Sequence, residues 1–179
     1  MSKSEDVLLQ TSRFRVVRES YSTSGGQVRT REIVRHPGAV VIVPLLADGR
    51  VCLIRNFRIA AQQTLIELPA GTLEPNEPPA TTAERELIEE TGYRAARIEP
   101  LHAFYLSPGI LDERMHLFLA TDLTLGETAR EAGEEIENLV VPWDEAIAMV
   151  FDGQIQDAKT IVGLLYVDQL RRQGKLTPN

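Results

Sequence analysis

Gly71–Tyr93 reads GTLEPNEPPATTAERELIEETGY, and the disposition of its acids governs how the rest of the chain is understood. Glu84, Glu86, Glu89 and Glu90 crowd into two helical turns. Glu86 and Glu90 are four apart and Glu89 is three from Glu86, so all three project from one side of a helix. Like charges at that spacing cost a helix about a few tenths of a kcal/mol per pair, so something must offset the repulsion. Carboxylate oxygens are hard ligands, which makes Mg²⁺ or Mn²⁺ the natural candidate. The alternative is a solvated acidic face, the commoner fate of a charge run. Against it, Ala80, Ala83 and Leu87 form an apolar stripe beside the acids and put them at the edge of a packed face. Arg85 precedes Glu89 by four and can pair with it, which leaves Glu86 and Glu90 for metal.

A chain of 179 residues, 43% hydrophobic and 25% charged, is the size and composition of one soluble domain. A net charge of −7 argues against a general nucleic-acid binder, but not against an anionic substrate, because bound cations can supply local positive charge. The single cysteine, Cys52, lies in the apolar run Val51–Ile54 and reads as a buried thiol; it fits a reducing compartment, the cytoplasm. No signal peptide and no membrane span are expected. His36, His102 and His116 lack zinc-type spacing.

Along the chain, residues 1–11 read as a loose terminus. Arg13–Ser22 and Gln27–Arg35 flank Ser24-Gly25-Gly26 and predict a β-hairpin, which needs something to lean on because two strands alone are marginal in water. Ala39–Ala47 and Arg50–Phe57 flank Asp48-Gly49, and their continuous apolar content predicts strands buried on both faces. Leu65–Pro69 predicts a short strand. Pro78-Pro79 marks a helix start and Gly92 its left-handed end. Ile98–Leu106 and Glu113–Thr121 predict strands joined at Ser107-Pro108-Gly109, and Leu139–Pro142 a last one. Two helices follow, the first capped by Asp144 and the second by Asp157. Interspersed strands and helices without βαβ alternation favour an α/β (α+β) sandwich around a mixed sheet.

Gly71, Glu77, Arg85, Glu86, Glu89, Glu90 and Gly92, with Leu87 apolar, stand at the spacing of the signature box of the Nudix hydrolases, and the chain resembles that family. Tyr93 departs mildly, standing where an aliphatic residue is more usual. The resemblance implies an α/β/α sandwich with residues 37–179 as the hydrolase domain and residues 1–36 as an N-terminal β-hairpin extension. It implies hydrolysis of a nucleoside diphosphate linked to another moiety, with about one to three Mg²⁺ or Mn²⁺ ions. Glu86 and Glu90 would be metal ligands, with Glu89 supporting or sharing a second ion and the Ala70 carbonyl adding a contact. Gly71 would let the backbone turn tightly beside the ion, and Arg85 would brace the carboxylates. Glu77 would stabilise the loop.

Four segments in order, Arg55–Ala60, Leu68–Gly71, Ser107–Glu113 and Asp157–Thr160, resemble the ADP-ribose pyrophosphatases within that family. By that resemblance Arg58 would contact phosphate, and Glu113 would recognise the ribose side or orient water. Glu134, with Glu135 as its neighbouring option in the acidic loop 131–137, would be the catalytic base or a further metal ligand. The hairpin would cross to a partner subunit in a homodimer, Phe14 stacking on a nucleobase and Arg31 reaching the partner's site. Each of these has a plainer structural reading as surface or packing. GDP-mannose or another nucleotide sugar remains an alternative substrate, and a catalytically silent nucleotide-binding regulator an alternative class; silent forms would be expected to lose box carboxylates, and all are present.

Overall fold

The computed structural model describes residues 5–128 and 136–176. In chain order its elements are β1 (Asp6–Gln10), β2 (Arg15–Ser22), β3 (Val28–Arg35), β4 (Ala39–Pro44), β5 (Arg50–Arg58), β6 (Gln63–Glu67) and β7 (Ala70–Thr72), then α1 (Pro79–Thr91). There follow β8 (Tyr93–Tyr105), β9 (Arg114–Leu125), β10 (Ile136–Pro142), α2 (Trp143–Phe151) and α3 (Ala158–Arg172).

The strand β4 explains the layering. Every residue of AVVIVP is buried, because both faces of this strand are covered. Side chains alternate along a strand. Val41 and Val43 join a core with Leu53, Leu117, Trp143, Met149, Leu164 and Val167, beneath α2 and α3. Val40 and Ile42 join a second core with Ala83 and Leu87 of α1, Tyr93 and Phe118. Helices therefore cover both faces, as the continuous apolar run predicts. The mixed sheet has the order β7-β4-β9-β8, with β4 and β9 parallel and the other pairs antiparallel. A second sheet, antiparallel β10-β5-β6, stands alongside it.

The predicted N-terminal hairpin is β2 and β3, paired from Arg15↔Arg35 to Ser22↔Val28. The expected loose terminus is corrected: Asp6–Gln10 is a strand that pairs with β2 and makes a three-stranded sheet. Backbone bonds stitch this sheet to the Ser107–Gly109 turn region, Val34 N–H donating to Ile110 O at 2.9 Å and Asp112 N–H to Val34 O at 3.1 Å.

Helix ends follow the sequence in two cases of three. Pro79 opens α1, and Gly92 closes it at φ 77° with its N–H on Ile88 O. Asp157 caps α3, accepting Thr160 N–H at 3.0 Å. The third is corrected: Pro142 occupies the cap position of α2 without a side-chain bond, and Asp144 lies in the first turn, where its charge suits the helix dipole. Among the described residues no helix is long and apolar enough to cross a membrane.

Thr160 ties α3 to the strand entering the acidic box. It is fully buried; its hydroxyl accepts Leu68 N–H at 2.8 Å and donates to Asp157 at 2.6 Å. Thr160→Val keeps the shape and leaves a buried N–H unsatisfied. It should lower the free energy of unfolding by about 1–3 kcal/mol, read as a lower urea midpoint at unchanged slope.

Candidate active site

The site begins where β4 pairs with β7. Val41↔Ala70 and Val40↔Gly71 lay a short strand at the sheet edge, against α1. Nothing in three residues of sequence announces that strand; pairing with β4 makes it. The register sets Ala70 N–H on Glu90 Oε2 at 2.9 Å. Glu90 is thereby 5% exposed and fixed to backbone.

Gly71 is required for a reason other than the tight turn expected of it. A Cβ built there would stand 1.9 Å from the Glu86 carboxylate carbon, far inside van der Waals contact. The carboxylate of Glu86 thus seats on the bare Cα of Gly71, and any other residue would displace it.

Arg85 is the hub of the acids. Its Nη1 donates to Glu86 Oε1 at 2.7 Å and to Glu89 Oε2 at 2.9 Å, while its Nη2 and Nε donate to Glu77 at 3.2 and 3.3 Å. Glu77 also accepts from the Thr82 hydroxyl at 2.8 Å, which pins the loop before α1 to the helix. The expectation that Arg85 pairs with Glu89 and leaves Glu86 aside is corrected: one nitrogen holds both. Burial would lower the Arg85 pKa, but the hydrogen bonds it donates to Glu77 and Glu86 outweigh it and hold the guanidinium above its ordinary value. The Arg85 hydrogen bond holds Glu77 below the usual carboxylate range.

Glu86, Glu89 and Glu90 wall a cleft of about 1020 Å³. Of the residues singled out from sequence, Glu86, Glu89, Glu90, Ala70, Arg58 and Phe14 line it. Phe14 is 37% exposed, at the entry to β2. Two others do not line it. Arg31 lies on an exposed stretch of β3 with its Nε on the Tyr21 hydroxyl at 3.3 Å. Glu113 lies 3.6 Å from His36 Nδ1. Glu134 and Glu135 fall outside the described residues.

Sequence reading missed three cleft features. Arg35 lines the cleft and pairs with Asp112 Oδ2 at 2.9 Å and Glu19 Oε1 at 2.5 Å, and with Glu5 at 3.0 Å. Asp112, not its neighbour Glu113, faces this cleft, and its Oδ1 accepts His36 N–H at 2.8 Å. Arg58 is forked by Glu67, Nε to Oε1 at 2.7 Å and Nη2 to Oε2 at 2.6 Å. Glu67 also accepts from Lys159 Nζ at 2.6 Å. Burial would raise the Glu67 pKa, but Arg58 and Lys159 together hold it below the ordinary value. The signal for Lys159 was present in the segment Asp157–Thr160; its partner Glu67, far away in sequence, was not marked.

Chemically, the arrangement offers oxygen donors on one helix edge, a fixed backbone strand beneath them and arginines in the same cleft. That is equipment for positioning a phosphoanhydride and stabilising its charge, with no covalent nucleophile needed.

Comparison with known proteins agrees with this chemistry. The chain is similar to an ADP-ribose pyrophosphatase of Bacillus subtilis (strain 168), 40% identical over 151 residues, covering 83% of this chain and 82% of that protein. It is similar to a GDP-mannose pyrophosphatase of Pectobacterium atrosepticum, 40% identical over 150 residues, covering 78% and 77%. Its fold matches the crystal structure of an ADP compounds hydrolase with a TM-score of 0.80 at 24% identity, over 98% of this chain and 100% of that one. The family model for the NUDIX domain matches residues 34–162, the span that holds β4, β7, α1 and all the carboxylates on Arg85. The chain belongs to the Nudix hydrolases.

Proposed function

We propose that this hydrolase cleaves the diphosphate of a nucleoside diphosphate sugar with Mg²⁺, and that ADP-ribose, yielding AMP and ribose 5-phosphate, is its preferred substrate. The observation that carries the reading is one cleft holding the carboxylates of Glu86, Glu89 and Glu90 together with Arg58 and Arg35. Its volume suits a ligand of two moieties joined by a diphosphate. Similarity to an ADP-ribose pyrophosphatase supports the choice of substrate. Similarity at the same identity to a GDP-mannose pyrophosphatase favours GDP-mannose as the second reading.

The residues fit a hard divalent cation by donor chemistry, since the three carboxylates and the Ala70 carbonyl all offer oxygen. Among the described residues no three of His, Cys, Asp and Glu are already drawn together as a ligand set. Arg85 Nη1, shared between Glu86 and Glu89, sets one positive charge between those two carboxylates. When bound, about one to three Mg²⁺ or Mn²⁺ ions supply charge for the diphosphate oxygens and acidify a water.

The chain's own residues do the rest. Glu90, locked to Ala70 N–H, and Glu86, seated on Gly71, present oxygens at fixed positions. Arg58 binds the diphosphate. Glu134 takes the proton of the attacking water; Glu89 and Glu90 support it from the helix edge. Glu113 serves the ribose side or orients water, beside Asp112, which lines the cleft. Phe14 stacks on the base.

We assign residues 1–36 to dimerisation and residues 37–179 to the hydrolase domain, in a homodimer. Supporting this, all of β1 is exposed, with Val7 at 48%, Leu8 at 43% and Leu9 at 49%. A small sheet needs a covered apolar face to be stable, and a second copy can cover this one. Arg31, away from its own cleft, then reaches the partner's. A single cysteine without a disulfide partner accords with a cytoplasmic enzyme.

Incubation of ADP-ribose, GDP-mannose, NADH and diadenosine polyphosphates with Mg²⁺ should release AMP from ADP-ribose with a kcat/KM at least about tenfold above the others. A preference for GDP-mannose would move the assignment to the second reading, and no mononucleotide from any of them would end it. Glu134→Gln should lower kcat by about 10²–10⁴-fold with little change in KM, measured on the preferred substrate. Deletion of residues 1–35 should convert a dimer to a monomer by light scattering and abolish turnover; a fully active monomeric parent would contradict the dimer.

A further inference from the structure

We propose that Glu67 is a positioning residue for catalysis, acting through Arg58: it grips the arginine by two nitrogens and presents the third to the diphosphate. The inference rests on the reading of the cleft as a diphosphate site. It adds a residue that is itself outside the cleft lining.

Glu67 is 1% exposed, the most deeply buried carboxylate among the described residues. A buried carboxylate is costly unless it is paired and hydrogen-bonded. Its two oxygens meet Arg58 Nε and Nη2 at 2.7 and 2.6 Å, the two-point geometry that fixes a guanidinium plane. Among the described residues no hydrogen bond reaches Arg58 Nη1, and Arg58 lines the cleft with Glu90 and Ala70. A free arginine would have to give up side-chain freedom on meeting a phosphate. One already held at its far edge gives up less.

The fork has an electrostatic drawback, because Glu67 offsets Arg58's charge. Lys159 corrects it. Its Nζ sits 2.6 Å from Glu67 Oε2 and 3.0 Å from Asp157 Oδ1, and its side chain is 10% exposed. Asp157 is the cap of α3, so the end of β5, the end of β6 and the start of α3 close on one charge cluster. A pair kept for stability alone is a weak explanation, since buried ion pairs are often replaceable by apolar residues at no loss. Orientation of an arginine at the cleft wall accounts for the placement.

The test is a cycle of variants with Mg²⁺ and ADP-ribose. Glu67→Asp keeps the charge beside Lys159 and withdraws the fork by one methylene. It should raise KM about 10-fold, Arg58→Ala about 100-fold, and the double variant no more than Arg58→Ala alone. Arg58→Lys, on a partly exposed side chain that should not impair folding, keeps the charge but cannot take a two-point grip; it should lose at least about 10-fold in KM. The proposal is overturned by losses that multiply in the double variant, by a lowered Tm with KM unchanged in Glu67→Asp, or by Arg58→Lys behaving as wild type. Calorimetry of inorganic pyrophosphate with Mg²⁺ on the same proteins separates this from the substrate assignment. If the parent cleaves no nucleotide sugar but its pyrophosphate affinity follows the same cycle, the substrate reading falls and Glu67 keeps its role. Pyrophosphate affinity that is absent, or indifferent to both residues, removes that role whatever the substrate.

Discussion

A single guanidinium decides whether α1 can carry its acids at one edge. Glu86, Glu89 and Glu90 on one helix side repel by about a few tenths of a kcal/mol per pair. Hydrogen bonds to charged groups contribute about 1.5–3 kcal/mol each when sheltered, so Arg85, bonded to Glu77, Glu86 and Glu89, outweighs the repulsion. Glu90 is left to the backbone, on Ala70 N–H, and Glu86 has its seat on Gly71. Three different restraints thus hold three neighbouring carboxylates.

Those restraints work because the strand beneath them is itself fixed from two sides. On the α1 side, Val40 and Ile42 of β4 pack against Ala83 and Leu87. On the other side, Val41 and Val43 pack with Leu164 and Val167 of α3. β7 hangs on β4 by its register, and Leu68 just before it is held by the Thr160 hydroxyl. Gly163 lets α3 approach closely: a Cβ there would stand 2.7 Å from Leu68 Cδ1. The helix far from the acids therefore sets the depth of the strand that the acids rest upon.

What the sequence made legible was local. The acid spacing, the prolines before α1, Gly92 after it, the Asp48-Gly49 turn and the continuous apolar run of β4 each act within a few residues, and each was found in place. What it hid was non-local. The partners Arg35 and Asp112 are brought together because β3 bonds to the backbone around Ile110, a pairing no residue type announces. The same pairing chooses Asp112 over Glu113, adjacent acids that a sequence cannot rank. Glu67 looked like an ordinary strand residue, and only the β5–β6 register, which pairs Arg58 with Gln63 and Ile54 with Glu67, frames its grip on Arg58. β1 was invisible because its DVLLQ is too short to show a pattern, and its partner strand supplies what propensity does not.

The charge balance of the cleft also bears on why a hydrolase built this way would need added cations. Glu86, Glu89 and Glu90 line the cleft, and the single charge of Arg85 stands against Glu77, Glu86 and Glu89 together. The other arginines do not make up the difference. Arg35 is matched by Glu5, Glu19 and Asp112, and Arg58 by Glu67. In this arrangement arginines fix geometry and leave little unmatched positive charge. Hard oxygen donors held at fixed positions suit a hard divalent cation, which would bring positive charge for an anionic substrate beside such a wall. On the proposed reading the arginines would orient the phosphates while the cation would make their approach favourable, a division of labour that follows from how the arginines are already paired.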